Sequence, residues 1–336
     1  MKNTKTSVNA TITAVGGYVP EDRLTNKDLE KIVDTNDDWI QSRTGIKERR
    51  ILRDPKKATS FLAIQASKNL IVKNSVDPLS IDMVIVATTT PDMQIAATAA
   101  FVASEIGSHN AFGFDLQAAC SGFLYAMSIA VGKIESGRYK KVLVIGADKM
   151  SSVIDYSDRS TSILFGDGAG AVLFEPNTNG LGWQDEYFRS DGTGRDSLSV
   201  KAGGSLFPAS SSTILNGDHY LRQDGRKVFK SAVSAMSDAS SKILERNNIT
   251  GDDVDYLLAH QANERIIEAI AKRMKLNPIK VLKNIANYGN TTGATIPLLL
   301  YDFKNQFKKG DKIIFAAFGG GYTWGAAYYN WSKLVN

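Results

Sequence analysis

Cys120 is the only cysteine among 336 residues, and its neighbours suit a nucleophile. It sits in Asp115-Leu116-Gln117-Ala118-Ala119-Cys120-Ser121-Gly122-Phe123, where a strand-like apolar run gives way to a helix-like one. The first turn of a helix carries unpaired N–H groups and the positive end of the macrodipole. Both favour the thiolate, which is the form that attacks an electrophile. Ala119, Ser121 and Gly122 are small enough to let a substrate come close. A lone cysteine is also often no more than a small core hydrophobe, so its companions decide between the two readings.

Two companions stand out. His260 follows the strand-like Tyr256-Leu257-Leu258-Ala259 and precedes the helix-like run from Gln261. The other histidines, His109 and His219, lie in polar, turn-like segments and read as surface residues. Asn290, in Tyr288-Gly289-Asn290-Thr291-Thr292-Gly293, could serve a site or simply cap a helix. Gly319-Gly320-Gly321 ends a strand-like run, where glycines let backbone N–H groups face a substrate oxygen or make a tight turn. Gly166-Asp167-Gly168-Ala169-Gly170 lacks the spacing of a dinucleotide fingerprint, and no phosphate-binding loop occurs. A helix over 261–275 carries Arg265 and Lys272 on one face, with Arg273 and Lys275 beside them. Such a face is either solvated or a dock for an acidic partner.

The elements that must position these residues alternate between strand and helix patterns, which predicts an α/β fold. Three blocks recur in order. Asp82–Ala87 resembles Asp253–Ala259, and Lys141–Ala147 resembles Lys312–Phe318. The segment around Cys120 resembles that around Asn290, each reading as strand, small-residue turn and apolar helix. We read two similar halves, 1–175 and 180–336, packed around a shared centre. This places Cys120 and Asn290 at equivalent helix N-termini. It also sets all three candidates just past carboxyl ends of strands, where open α/β sheets hold their ligands.

Composition narrows the class. With 43% hydrophobic and 22% charged residues the chain can build an ample core. One cysteine and three histidines argue against disulfides and a zinc enzyme. There is no apolar run long enough to span a membrane and no secretory pattern, so the expected compartment is the cytoplasm. A net charge of +5 could face nucleic acid, anionic lipid, an acidic protein or a phosphate ligand, or serve solubility alone, and no nucleic-acid motif accompanies it.

Six segments in order resemble β-ketoacyl-[acyl-carrier-protein] synthase III, the initiating condensing enzyme of type II fatty acid synthesis. They are Asp38-Trp39-Ile40 with Arg43-Thr44-Gly45-Ile46, Ala118–Phe123, Phe165–Ala171, His260-Gln261-Ala262-Asn263, Tyr288–Thr292 and Phe318–Gly325. The resemblance implies a thiolase-like fold, two duplicated α/β halves layered αβαβα, working as a homodimer. It implies a catalytic set of Cys120, His260 and Asn290. Cys120 would take an acyl group from acyl-CoA, and malonyl-acyl-carrier-protein would then lose CO2 and attack. His260 and Asn290 would donate to the thioester oxygen as it becomes negative. The backbone N–H groups of Cys120 and Gly320 would form a second oxyanion hole.

The same resemblance places CoA on Thr35, Trp39, Arg43, Arg159, Phe229, Ala262 and Asn263, with adenine between Trp39 and Arg159. It places the carrier protein on Gln261, Arg265, Lys230, Lys272 and Arg273. Ile95, Met150, Phe165 and Phe318 would shape the acyl pocket, with the loop of Ile95 reaching in from the partner subunit. Relatives often have an aromatic where Ile95 stands, so acetyl-CoA is the default starter and a longer or branched one is open. No metal or redox cofactor is implied. Elongating condensing enzymes would need a second histidine at Asn290, and degradative thiolases a second cysteine. A papain-like hydrolase would need a different motif around Cys120.

Overall fold

The runs Met83-Val84-Ile85-Val86-Ala87 and Val142-Leu143-Val144-Ile145 hold no polar residue, and strands of that kind need cover on both faces. The computed structural model describes residues 8–332 and 334, and there both runs are covered. They form β2 (Met83–Ala87) and part of β4 (Val142–Lys149) in a five-stranded sheet with β1 (Asn9–Tyr18), β3 (Phe112–Leu116) and β5 (Asp167–Asn177). The order is β1-β5-β4-β2-β3. β2 runs parallel to β3 and β4, and the pairs β4–β5 and β5–β1 are antiparallel.

A second sheet repeats this plan. It holds β6 (Gly182–Ser190), β7 (Tyr256–Ala259), β8 (Lys312–Gly319) and β9 (Thr323–Asn330), in the order β7-β8-β9-β6. β7 and β8 are parallel and the other pairs antiparallel, so β7, β8, β9 and β6 correspond to β2, β4, β5 and β1. The counterpart of β3 shrinks to one bridge, Leu257 with Val281. This corrects the expectation of a strand ahead of Asn290. The side-chain oxygen of Gln261 accepts the N–H groups of Asn284 and Ile285, which an edge strand would otherwise offer to its neighbour. The chain there folds instead into a one-turn helix, Ile285–Tyr288.

Seven helices matter to the site or its support. In chain order they are α1 (Asp37–Thr44), α2 (Thr59–Lys73), α3 (Thr98–Glu105), α4 (Gly122–Glu135), α5 (Gly225–Arg246), α6 (Glu264–Arg273) and α7 (Thr295–Phe303). α4 and α7 lie between the sheets and touch both. They are apolar over most of their surface, as a helix packed between two sheets must be, with exposed positions only toward their C-terminal ends. Phe123, Met127, Leu299 and Leu300 meet Phe315, Tyr329 and Trp331 there in the largest core cluster. α2 and α3 cover the outer face of the first sheet, and α5 and α6 that of the second. The layers are therefore αβαβα.

The turn that starts α7 lies directly on β4. A Cβ on Gly146 would collide with the carbonyl oxygen of Gly293. Gly146→Ala is expected to cost about 1–3 kcal/mol of stability by overpacking. Gly132→Ala, at an exposed position of α4 with open space around it, should instead stabilise by up to about 1 kcal/mol. Urea denaturation of both variants checks the pair.

Candidate active site

The chain leaves β3, makes one 3-10 turn over Ala119–Ser121, and enters α4. The sharp turn puts Ala119 at φ +47°, a left-handed conformation that costs a non-glycine residue about 1–3 kcal/mol. The second half repeats it: Thr292 stands at φ +55°, at the head of the 3-10 turn Thr292–Ala294 that leads into α7. The positional counterpart of Cys120 is therefore Gly293, and Asn290 lies three residues before it. The expected equivalence of Cys120 and Asn290 is thus corrected, although the two helix entries themselves do correspond.

Both halves of the chain close on Cys120. At the end of β8, a Cβ on Gly319 would lie 2.6 Å from the Cys120 amide nitrogen, so only glycine allows this approach. The Thr323 hydroxyl donates to the Ala118 carbonyl at 2.8 Å, and the Ser121 hydroxyl to the Thr323 carbonyl at 2.9 Å. His260 directly follows β7 and extends its ladder, its N–H bonding the Ala316 carbonyl at 2.8 Å. Its Nδ1 lies 2.7 Å from the Thr295 hydroxyl. Asn290 pairs with Leu164 and Gly166 through its backbone. Its Oδ1 accepts the Thr292 N–H at 2.9 Å, which leaves the Nδ2 hydrogens for the cavity.

Two cavities meet at Cys120. One, of about 190 Å³, is lined by Cys120, His260, Asn290, Phe229, Ala262, Asn263 and Phe318, among others. The other, of about 370 Å³, is lined by Cys120, Gly320, Thr89, Met150, Val153, Leu221 and Thr292, among others. Phe165 and Leu198 line both. Phe318 therefore borders the first cavity beside His260, not the second cavity with Met150. Ile95 lines neither; it sits fully exposed on its loop at φ +73°.

Burial governs the electrostatics. Cys120 is pushed well above the ordinary thiol range, chiefly by burial and further by the Asp148 carboxylate. Burial can move a pKa by as much as about 3–5 units, against about 0.3–2 kcal/mol from a helix end. The resting residue is therefore a thiol: burial outweighs the helix end that favours the thiolate. His260 is depressed to about 3 by burial and is neutral. Asp148 is itself buried and its pKa raised for that reason, while the hydroxyls of Thr88, Thr89 and Thr90 and the Gly293 N–H donate to it.

In the wall of the smaller cavity, Asn263 joins two helices. Its Oδ1 caps α6 at Arg265 N, and its Nδ2 donates to the Arg43 carbonyl at the end of α1. The guanidinium of Arg265 lies over the Phe229 ring, 5.3 Å from its centroid. Trp39 is on α1, and Arg159 stacks on it at 5.0 Å while donating to the Asp34 carbonyl. A planar base between them needs roughly 7 Å, so the pair must part to admit one. The Thr35 hydroxyl is buried close by in sequence, without a partner among the described residues. Lys230, Arg265, Lys272 and Arg273 are exposed, and among the described residues none is ion-paired with a carboxylate. Gln261 is not available to a partner protein: it is buried and clasps Ala259, Asn284 and Ile285. α6 begins at Glu264, so Gln261 to Asn263 form the loop ahead of it. Sequence reasoning missed Thr295, Asp148 and Leu198, whose partners lie far along the chain.

Comparison with known proteins gives a consistent picture. The family model for 3-oxoacyl-[acyl-carrier-protein] synthase III matches residues 114–192, and its C-terminal model matches 244–331. β-Ketoacyl-[acyl-carrier-protein] synthase III 2 of Bacteroides thetaiotaomicron is 54% identical over 96% of this chain and 97% of its own. The Chlorobium chlorochromatii β-ketoacyl-[acyl-carrier-protein] synthase III is also 54% identical, over 96% of this chain and 100% of its own. The solved 3-oxoacyl-[acyl-carrier-protein] synthase III of Aquifex aeolicus VF5 superposes with a TM-score of 0.88 at 39% identity, covering 96% of this chain and 100% of that one.

The buried imidazole makes a linkage prediction. Folded His260 stays neutral down to about pH 3, whereas an unfolded histidine takes a proton near pH 6.5. Its contribution is fully present above pH 6.5 and is lost as pH falls toward 3, by about 1.4 kcal/mol per unit. Between pH 6.5 and 5 that is about 2 kcal/mol, and His260→Asn should not show it. Urea unfolding at the two pH values checks this. Identical pH dependence in both proteins contradicts a buried neutral imidazole.

Proposed function

The chain belongs to the 3-oxoacyl-[acyl-carrier-protein] synthase III family, a family of condensing acyltransferases, and on that premise we propose that it joins an acyl-CoA starter, by default acetyl-CoA, to malonyl-acyl-carrier-protein. The products are 3-oxoacyl-acyl-carrier-protein, CoA and CO2, and the reaction initiates fatty acid synthesis. The observation that carries this reading is that Cys120, His260 and Asn290 line one narrow cavity, which meets a second, larger one at Cys120.

Acyl-CoA enters with its pantetheine arm along Phe229, Ala262 and Asn263. Cys120 sulfur attacks the thioester carbonyl, whose oxygen is held by the N–H groups of Cys120 and Gly320. The bond to CoA sulfur breaks, and the thiol proton of Cys120 ends on that sulfur, so the exchange needs no net acid or base. The acyl group then occupies the larger cavity against Met150 and Phe165. Malonyl-carrier follows along the same arm. As its carboxylate leaves as CO2, the electron pair moves to the thioester oxygen, which His260 and Asn290 stabilise by hydrogen bonds. The enolate carbon attacks the acyl carbonyl, the bond to Cys120 sulfur breaks, and the sulfur leaves as a thiolate that takes up one proton from solvent to restore the resting thiol.

The exposed cations Arg265, which lies over Phe229, Lys230 next to Phe229 in sequence, and Lys272 and Arg273 in the last turn of α6 suit an acidic carrier. A homodimer is supported by β3, an edge strand of the first sheet, and by the exposed apolar Met93, Ile95, Phe101 and Phe112 near it in sequence. In that assembly the Ile95 loop would close the larger cavity of the other subunit.

A second reading has its own observation. A cavity of about 370 Å³ has room for more than an acetyl group, which favours a longer or branched starter and hence a condensing or acyltransfer enzyme of secondary metabolism. Intact-mass measurement after exposure to a series of acyl-CoAs separates the two. Wild type should gain one acyl mass and Cys120→Ala none. Loading fastest with acetyl-CoA supports fatty acid initiation, and loading fastest with long or branched chains supports the second reading. Acylation of the Cys120→Ala protein would contradict both.

A further inference from the structure

His260 is held by a single side-chain hydrogen bond, and that bond decides what its other nitrogen can do. Nδ1 lies 2.7 Å from the hydroxyl of Thr295, the first residue of α7, and both side chains are buried. The hydroxyl also lies 3.1 Å from the Thr292 carbonyl, so its one proton has two candidate acceptors. The Thr292 carbonyl already accepts the backbone N–H of Thr295, which closes the 3-10 turn. Nδ1 has no other partner among the described residues. A buried acceptor left without a donor costs about 1–3 kcal/mol, so the proton serves Nδ1 better than a carbonyl already bonded. An imidazole that accepts at Nδ1 carries its one hydrogen on Nε2. The opposite arrangement would turn a lone pair toward the thioester oxygen.

We propose that Thr295 is the positioning residue that selects the Nε2–H tautomer of His260, by donating its hydroxyl proton to Nδ1, and so makes a neutral imidazole a hydrogen-bond donor to the developing enolate. This rests on the reading of His260 as a donor to the thioester oxygen. Thr295 touches no substrate and acts only through the ring. A helix that must begin at this point could use any small residue for packing; only a hydroxyl can orient the imidazole.

The test is a nitrogen-15 NMR spectrum of the full chain labelled at histidine. The chain has three histidines, and the His260 signals are assigned by their loss in His260→Asn. In wild type, Nδ1 should show the shift of an unprotonated ring nitrogen and Nε2 that of a protonated one. Thr295→Val keeps the shape but removes the hydroxyl. It should move His260 to the Nδ1–H or a mixed tautomer and slow decarboxylation of malonyl-carrier about ten- to a hundredfold. Acylation of Cys120 should change much less, and Thr295→Ser should restore both the spectrum and the rate. A wild-type spectrum with hydrogen on Nδ1 overturns the proposal even if Thr295→Val does not fold. So does a Thr295→Val protein that keeps the Nε2–H tautomer and the full rate. If decarboxylation survives in His260→Ala, the donor reading of His260 fails, while the tautomer spectra still report on Thr295.

Discussion

The backbone at the end of β8 rests against the amide of Cys120, and the geometry of the site follows from that contact. Gly319 leaves no room for a side chain there. Because β8 pairs in parallel with β7, fixing its end also fixes the residue that follows β7, which is His260. From the other side, Gly146 lets the Gly293 turn sit on β4, and the buried Asp148 carboxylate accepts the Gly293 N–H. That turn carries Asn290 before it and Thr295 after it. Two backbone approaches that only glycine permits thus bring residues from both halves to one point. A duplicated fold supplies the symmetry, and the glycines supply the closeness.

The site so formed is buried, and this shapes its chemistry. Burial keeps Cys120 a thiol and His260 a neutral imidazole. Neither carries a charge in the resting protein, so charge arises only as the reaction creates it. Dipoles already aimed at the reacting oxygen then need no rearrangement, which is where preorganised donors are most effective. Asp148 is the buried carboxylate nearest this arrangement, and the threonine hydroxyls around it tie the Thr88–Thr90 loop to the Gly293 turn. It disfavours a thiolate at Cys120, so on the proposed function the helix end and a bound thioester would together have to draw the sulfur into reaction.

Much of this was legible in the sequence because it depends on local pattern. The strand-to-helix entries at Cys120 and His260, the repeated blocks and the apolar central helices all follow from periodicity. The misreadings share one cause: contacts that cross the chain. Asn290 was matched to Cys120 because both precede apolar helices, but the left-handed residues Ala119 and Thr292 set the true correspondence. Gln261 reads as a polar residue near a helix start, yet it is buried because it satisfies backbone groups more than twenty residues away. Phe318 lines the smaller cavity and Met150 the larger, a separation the sequence does not show because it does not say on which side of Cys120 a strand end falls. Thr295 left no signal at all, since one hydroxyl in a turn of small residues gains meaning only from the imidazole opposite it.

The central claim is a division of labour: Cys120 carries the acyl group, while His260 and Asn290 stabilise the enolate. It is tested most directly by CO2 release from malonyl-carrier in the absence of acyl-CoA. Cys120→Ala should still release CO2, because the enolate-stabilising donors are intact, but should form no condensation product. His260→Ala and Asn290→Ala should each slow the release by roughly 10²–10³, the effect of losing one oxyanion donor. Release that stops without Cys120, or that continues at the full rate without His260 and Asn290, contradicts the account.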